Sequence, residues 1–423
     1  MVDTIDRNEE TSQPREIPSL SGDIRHLVPK LGLRNYWYPL IQDKKVPKRK
    51  PIEISLLGDD LAVFRDKDGT VAALASICPH RGARLAEGHI HWPGYVSCPY
   101  HGWTFDAKGT NVAVLSEGPE AAICGTAGTQ ARHYPTRTLR GMVFVWIGEE
   151  EAAPIEEDVP EEFFDEKSLL LFGNGGGGGY WNCNWEVALE NSMDSHVNYL
   201  HRDALVVLRG EYYARGARGQ HPVFVGNGFG GLYGDAAGPA LPTERNSSQD
   251  SYPDLGFKWP KSRRRRFWTW AFKWNVRGTQ ANVPKPKTTE WCGGHHLPGM
   301  FRTEFAYDLY TRMCVPVEEK KTRLFYYHCT YPKNRVQRWV QTFLYYAYHR
   351  YVIEYNFSNQ DNAVMNNQSY DAPEALSVTD SEVVQWRRLI VTKHFGGRNA
   401  EYKFRNPDNV PATEVPLSMV SGG

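Results

Sequence analysis

Between Tyr36 and Gly148 the apolar residues come in short runs: Ile52–Leu57, Leu61–Arg65, Val71–Leu74, Tyr95–Cys98 and Met142–Ile147. Turn formers such as Gly58-Asp59-Asp60, Asp68-Gly69 and Lys108-Gly109 cut them apart. Short β-like runs at that spacing predict a small all-β domain. The acidic, proline-bearing stretch Glu149–Glu162 then marks a composition shift and a boundary. After Trp181 the period becomes mixed. A helix is expected from Trp185 to about Leu200, and strands near Val223–Val225, Trp268–Phe272, Thr303–Tyr310 and Thr322–Thr330. A long helical pattern covers about Val336–Tyr370 and stops before Pro373, and a last helix is expected over Thr379–Leu389. The stretch Met1–Ser21 is polar and charged, without an apolar core, and reads as a mobile arm. The resulting division is an arm at 1–30, a β domain at 31–150 and a larger α+β domain at 151–423.

Composition narrows the function classes. The chain has 423 residues, enough for about two or three domains. Lysine plus arginine equals aspartate plus glutamate, 49 each. This balance gives no reason to expect nucleic acid or an anionic membrane as partner. No run of about 18 apolar residues exists to span a membrane, and the N-terminus resembles neither a secretory nor a transit signal, so a cytoplasmic protein is expected. Seven cysteines, an odd number in a long chain, point to reduced thiols rather than a disulfide framework.

Some of those thiols are spaced to hold metal. Cys78-Pro79-His80-Arg81-Gly82 is followed by Cys98-Pro99-Tyr100-His101-Gly102-Trp103, with 17 residues between His80 and Cys98. Each limb offers one thiolate and one imidazole. Two cysteines and two histidines could make a tetrahedral zinc site. The order argues otherwise: a Cys-x-His limb facing a Cys-x-x-His limb, each in a proline- and glycine-bearing turn, suits two loops gripping opposite sides of a [2Fe–2S] cluster. This pair of motifs resembles the Rieske domain. The positions where respiratory Rieske proteins carry an extra disulfide look like Ala83 and Tyr100, which points to the oxygenase branch.

A second cluster of ligand types follows in Glu190-Asn191-Ser192-Met193-Asp194-Ser195-His196-Val197-Asn198-Tyr199-Leu200-His201. Two histidines five apart converge on one ion if the helix loosens or breaks between them, and a 2-His-1-carboxylate triad leaves Fe(II) open positions for O₂ and substrate. The carboxylate candidate is Asp361, on the long helix at i+3, i+4 and i+7 from Val364, Met365 and Gln368, which places it on an inward face. Asp371 and Asp380 lie at the helix stop and at an N-cap position and are weaker candidates.

The order of these motifs, over roughly Leu31 to Leu389, resembles the catalytic α-subunits of Rieske non-haem iron oxygenases. Only Ser195 separates Asp194 from His196 where the family usually has two residues. The distance from Asp194 to His201 matches the branch that includes carbazole dioxygenase and 2-oxo-1,2-dihydroquinoline 8-monooxygenase. The resemblance implies an α+β chain: an all-β Rieske domain, then a helix-grip (START-like) domain with an antiparallel sheet around a long C-terminal helix. It implies a [2Fe–2S] cluster on Cys78, His80, Cys98 and His101 and mononuclear Fe(II) on His196, His201 and Asp361. Asp194 would bridge the two centres, with Asn191 beside it as a catalytic residue. Electrons would come from NAD(P)H through a flavin reductase, a ferredoxin or both, and O₂ would be activated beside a small aromatic or heterocyclic substrate. Cluster and iron would meet between neighbouring subunits of a head-to-tail homotrimer. Ring hydroxylation and N- or O-demethylation share this chemistry, and a plain electron carrier with an inactive second site is the reading from a different class.

Other features carry less. His295-His296, as neighbours in an extended segment, point to opposite faces and cannot share an ion, so a loop or one pocket-lining histidine is expected. Arg263–Arg266 reads as a solvated run, Gly175–Gly179 as a loop without the Lys-Ser/Thr of a phosphate cradle. Cys124, Cys183, Cys292, Cys314 and Cys329 read as ordinary thiols.

Overall fold

In the computed structural model of the chain, residues 14–173, 179–193, 196–201, 204–208, 223–225, 228–230, 251–252, 257–258, 294–304, 308–376 and 380–402 are described. The turn-cut runs of the first part become strands: β1 (Tyr36–Gln42), β2 (Ile52–Leu56), β3 (Asp59–Arg65), β4 (Val71–Ala75), β5 (Val96–Ser97), β6 (Trp103–Phe105), β7 (Asn111–Val114), β8 (His133–Tyr134), β9 (Thr136–Leu139) and β10 (Met142–Ile147). They form three sheets, ordered β1-β10-β9, β2-β3-β4-β8 and β5-β6-β7. β1 and β10 are buried along their whole length and pair antiparallel, Tyr36 against Ile147. That is why Met142–Ile147 reads as unbroken hydrophobicity rather than alternation. The two-residue turn between β2 and β3 has both residues at positive φ, Leu57 at 50° and Gly58 at 77°, the geometry whose twist matches a hairpin. Leu57 holds this unfavoured conformation while its N–H donates to the Pro316 carbonyl at 2.8 Å, in the second part of the chain.

The second part is built on one antiparallel sheet. β11 (Leu169–Phe172), β12 (Gly179–Trp181), β13 (Val223–Val225), β14 (Gly228–Gly230), β17 (Gly294–His296), β18 (Met300–Glu304), β19 (Leu309–Glu318) and β20 (Lys321–Thr330) belong to it, in the order β11-β20-β19-β18-β17-β14-β13 with β12 also on β20. β15 (Ser251–Tyr252) and β16 (Phe257–Lys258) pair separately. The helices are α1 (Trp185–Glu190), α2 (Val197–Leu200), α3 (Leu205–Leu208), α4 (Arg335–Leu344), α5 (Ser358–Met365) and α6 (Ser381–Gly396). Between α4 and α5 the helix continues in wider π turns over Tyr345–His349 and Tyr351–Phe357. A β domain followed by mixed sheet and helix is the α+β organisation the motifs led us to expect.

Several boundaries differ from the expectation. The helix expected over Trp185–Leu200 stops after Glu190 and resumes only at Val197. Asn184 fixes its start, its side-chain oxygen accepting from the Glu186 N–H at 2.9 Å. The long helix ends at Met365 rather than near Tyr370, where the Asn366 side chain turns to accept from the Asn182 N–H at 2.7 Å. The last helix runs on to Gly396. The strand expected over Thr303–Tyr310 is the end of β18 and the start of β19; that expected over Trp268–Phe272 lies outside the described residues.

The two parts share one hydrophobic core and are clamped by buried polar contacts. Asp158 accepts from the Trp37 N–H and from Arg398, both at 2.9 Å. Asn184 donates to the Lys30 carbonyl and Trp185 Nε1 to the Pro29 carbonyl, each at 3.0 Å. These bonds seat α1, the element that leads to the second ligand cluster, against the first part of the chain.

Candidate functional site

Two loops match each other, one following β4 and closed by the Ile77–Arg84 bridge, the other joining β5 to β6. In the first, Cys78 N–H donates to the Ala83 carbonyl and Gly82 N–H to the Cys78 carbonyl, at 2.8 and 2.9 Å. In the second, Cys98 N–H donates to the Trp103 carbonyl and Gly102 N–H to the Cys98 carbonyl, at 2.7 and 3.1 Å. Each loop turns through a glycine in the left-handed region, Gly82 at φ 74° and Gly102 at φ 68°. Both cysteines are buried, and they face each other across the gap. Burial foremost, helped by the neighbouring Cys98 thiol, pushes Cys78 up to about 11. The His80 and His101 rings lie 4.6 Å apart, and His80 stacks on Trp103. The His101 Nδ1 atom is buried with no hydrogen-bond partner among the described residues. Two facing thiols and two facing imidazoles, one with an orphaned nitrogen, form a donor set that fits a cluster with mixed sulfur and nitrogen ligands.

The second ligand cluster assembles from segments far apart in sequence. His196 sits in the turn after α1, His201 after α2, and Asp361 inside α5. Their ligand atoms all lie within 4.8 Å of one another. Asp361 Oδ1 is the common point, 2.9 Å from His201 Nε2 and 3.3 Å from His196 Nε2. His201 is fully buried, stacked at 3.7 Å on Phe357, and its Nδ1 faces Gln360 Oε1 at 2.9 Å. Gln360 Oε1 is an acceptor, so Nδ1 carries a proton. Nε2 then meets the carboxylate either as a second N–H or across a shared cation, the arrangement a metal-ligating histidine has. Burial works against the Asp361 charge, but hydrogen bonds from His196 and His201 outweigh it and hold the carboxyl well below its usual range. Two imidazoles and a buried carboxylate fit a divalent iron ion in kind and number.

Sequence reasoning chose Asp361 for a face that only partly exists. Val364 is exposed and Gln368 lies beyond the helix, whereas Met365 is buried. The inward row is instead Glu354, Ser358, Asp361 and Met365, all at most 7% exposed. That row keeps the i+3 and i+4 steps of an ordinary helix; Val364 sits on its exposed flank, and the helix ends at Met365, before Gln368.

Around the triad the structure adds residues that no motif announced. Arg312, on β19, donates to the Asn191 side-chain oxygen at 3.3 Å and to the Ala188 carbonyl at 3.0 Å. Asn191 in turn donates to Asp361 Oδ1 at 3.4 Å. Arg387, on α6, grips both oxygens of Glu190 at 2.7 Å and reaches Glu374 at 2.6 Å, tying α1 to the C-terminal helix. Glu190 needs that cation: burial pushes its carboxyl well above the usual range. A lone arginine on a strand gives no sequence signal for either role.

A match to the Rieske [2Fe-2S] domain family covers residues 36–123. The chain carries a Rieske domain. Both loops lie within it, and the recognition made from Cys78–Gly82 and Cys98–Trp103 holds. Relatives include the terminal oxygenase component of carbazole 1,9a-dioxygenase from Metapseudomonas resinovorans, 31% identical over 42% of this chain and 45% of its own length. The phthalate 4,5-dioxygenase oxygenase subunit of Pseudomonas putida is 33% identical over 42% of this chain and 39% of its own length. The matched stretch thus spans less than half of these relatives. Their names are those of oxidoreductases. In fold the likeness extends further. A carbazole-bound oxygenase–ferredoxin complex of carbazole 1,9a-dioxygenase matches with a TM-score of 0.68 at 22% identity, covering 88% of this chain and 92% of that one. The terminal oxygenase from Nocardioides aromaticivorans matches at 0.66 and 21%, covering 88% and 98%.

Beyond the Rieske domain the remaining candidates sort themselves. Asp194 lies outside the described residues, as do Arg263–Arg266 and Cys292. Asp371 is exposed, 3.3 Å from Lys320, and Asp380 precedes α6, so neither joins the triad. The expectation of a loop at His295-His296 is corrected: both are buried in β17, paired with β18. His295 Nε2 lies 3.0 Å from Ser192 Oγ, next to the segment that carries His196. Cys183, Cys314 and Cys329 are buried free thiols, and Cys124 is half-buried. Among the described residues no helix is long and apolar enough to cross a membrane.

Proposed function

We propose that this chain is the terminal component of a Rieske-type oxygenase, hydroxylating a small aromatic or heterocyclic molecule with electrons that originate in NAD(P)H. The observation that carries the reading is the convergence of His196, His201 and Asp361 within 4.8 Å in a chain with a Rieske domain. Cys78, His80, Cys98 and His101 are assigned to the cluster, His196, His201 and Asp361 to mononuclear Fe(II), and residues 31–150 and 151–423 to the two domains. Bound at the triad, Fe(II) supplies the activation of O₂. The protein's own part is to keep that site dry and oriented. Phe357 covers the His201 ring, Gln360 fixes its proton on Nδ1, and Asn191 holds the Asp361 oxygen. A ferredoxin, a flavin reductase or both would supply electrons, as the ferredoxin complexes among the structural relatives suggest. Asp194 is proposed to link the two centres, across a subunit boundary of a head-to-tail homotrimer.

O-demethylation is the second reading, favoured by one relative named as the 5,5'-dehydrodivanillate O-demethylase oxygenase subunit of a Sphingobium strain, at 29% identity. Anaerobic Fe(II) titration followed by O₂ uptake, with a surrogate reductase and panels of aromatic and methoxylated compounds, tests both. Iron bound beyond that of the cluster, with substrate-dependent O₂ consumption, is expected. Cluster iron alone and no uptake would leave an electron carrier with an inactive second site.

A further inference from the structure

The zero net charge of the whole chain conceals one segment of different character. From residue 331 to 353 there is no aspartate or glutamate, while Lys333, Arg335, Arg338 and Arg350 are cationic. α4 lies here with its faces reversed. Val336, Trp339 and Phe343 are 70%, 67% and 57% exposed, and Val340, Leu344, Tyr351 and Tyr355 are exposed with them. These positions follow the i+3 and i+4 steps of one helix face. Trp339 and Phe343 stack on each other, ring centroids 5.7 Å apart and nearly parallel, as a flat aromatic slab. The inward face is polar instead. Gln341 accepts from the Thr330 hydroxyl at 2.5 Å, Arg338 donates to the Ser168 carbonyl at 3.1 Å, and the buried Tyr345 donates to Glu354 at 2.5 Å. A helix on the surface of a water-soluble fold is built the other way round, and a contiguous apolar row in the open marks an interaction surface.

Charge selects the occupant. A face-to-face pair of copies would bring Lys333 and Arg335 of each into opposition, and the proposed head-to-tail trimer does not pair this face with itself. An anionic bilayer meets both features: the apolar row enters the acyl boundary, the cations lie at phosphate level, and tryptophan and tyrosine occupy the interface between. Among the described residues, Glu161, Glu162 and Asp165 act at Tyr331, before the helix begins, and Glu162 is engaged by Arg302; Glu354 is buried against Tyr345 and lies 3.6 Å from Arg350, so the cations left to the open face are Lys333 and Arg335. We propose that α4 and the turns after it seat this protein on the surface of an anionic lipid bilayer, without crossing it. An oxygenase so placed would meet apolar substrates where they concentrate.

The test is flotation of the full-length, cluster-loaded protein with vesicles of phosphatidylcholine alone or with about one third phosphatidylglycerol. Wild type should float with the anionic vesicles, and more weakly at high salt. Trp339→Glu/Phe343→Glu should abolish flotation, and Lys333→Glu/Arg335→Glu should weaken it roughly tenfold or more. The substituted side chains are exposed, so folding is checked by the visible cluster spectrum and Tm, which should not move. Wild type that stays with the soluble fraction would overturn the proposal. So would flotation indifferent to both double variants. A change in the lipid-free molar mass with Trp339→Glu/Phe343→Glu would reassign the face to a second copy of the chain and likewise overturn it.

Discussion

Arg312 acts on Asp361 through the amide of Asn191. The guanidinium fixes the Asn191 oxygen, which leaves its NH₂ to face Asp361 Oδ1, the oxygen already shared by His196 and His201. The arginine is itself held over the Trp181 and Phe301 rings, 5.3 and 5.5 Å from their centroids. Arg312→Met should therefore let the amide turn and weaken Fe(II) binding by roughly 10–100-fold, the usual effect of losing an outer hydrogen bond to a ligand. Competition with a chelator measures it. Arg312→Lys should recover only part, since one ammonium cannot hold both Asn191 and the Ala188 carbonyl.

Removing a triad ligand should separate the two centres. Asp361→Ala and His201→Ala are expected to lose the mononuclear iron while the Rieske cluster keeps its visible and EPR signals, because the loops of Cys78 and Cys98 share no residue with the triad. Iron analysis against cluster absorbance gives the stoichiometry. Retention of full O₂ uptake by Asp361→Ala would refute the assignment.

Asp194→Asn probes the proposed link between centres. Cluster spectrum and Fe(II) content should both survive, with turnover falling severely, because the amide neither accepts a proton nor orients two imidazoles as a carboxylate does. Unchanged turnover removes the role.

Gly102→Ala should disturb the cluster without touching a ligand. At φ 68° a side chain is strained, and a Cβ there would stand 2.6 Å from Leu115 Cβ. A loss of about 1–3 kcal/mol and reduced cluster occupancy are expected. Gly82 shares the conformation but has open space around it, so Gly82→Ala should cost less. Thermal melts of the two variants compare them directly.

Glu382, in the first turn of α6, is pushed by burial from the usual 4.5 up to about 7. Its raised value means that the folded state prefers the proton. That contribution to stability is complete below pH 4.5 and is lost as pH rises through about 7. Glu382→Gln should thus match wild type near pH 4 and exceed it at pH 8, by roughly 1–3 kcal/mol after the helix dipole offsets part of the shift. Denaturant midpoints at the two pH values give the difference.

The first ligand set was legible because Cys-x-His and Cys-x-x-His each sit within one tight loop, where sequence neighbours are spatial neighbours. The second was legible only as candidates. His196 and His201 close on each other because α1 stops at Glu190, where Arg387 of the C-terminal helix grips that carboxylate. Asp361 is inward as its spacing to Met365 implies, whereas Val364 is exposed and Gln368 lies past the end of the helix. Arg312 and Arg387 were invisible, because nothing in a strand or helix pattern distinguishes a buried arginine from a solvated one.

What the amino-acid order determined alone is local: the turn-cut strands, the two Cys/His loops with their positive-φ glycines, the N-cap at Asn184 and a basic, acid-free stretch from 331 to 353. Backbone sterics, hydrogen bonding within a few residues and charge act at that range. What only the tertiary structure decided is convergence and exposure. It brings a carboxylate from α5 to histidines some 160 positions earlier, orders Asn191 by a cation from β19, and turns the apolar row of α4 outward. Burial and long-range contact depend on which surfaces meet, and a one-dimensional pattern holds no record of that.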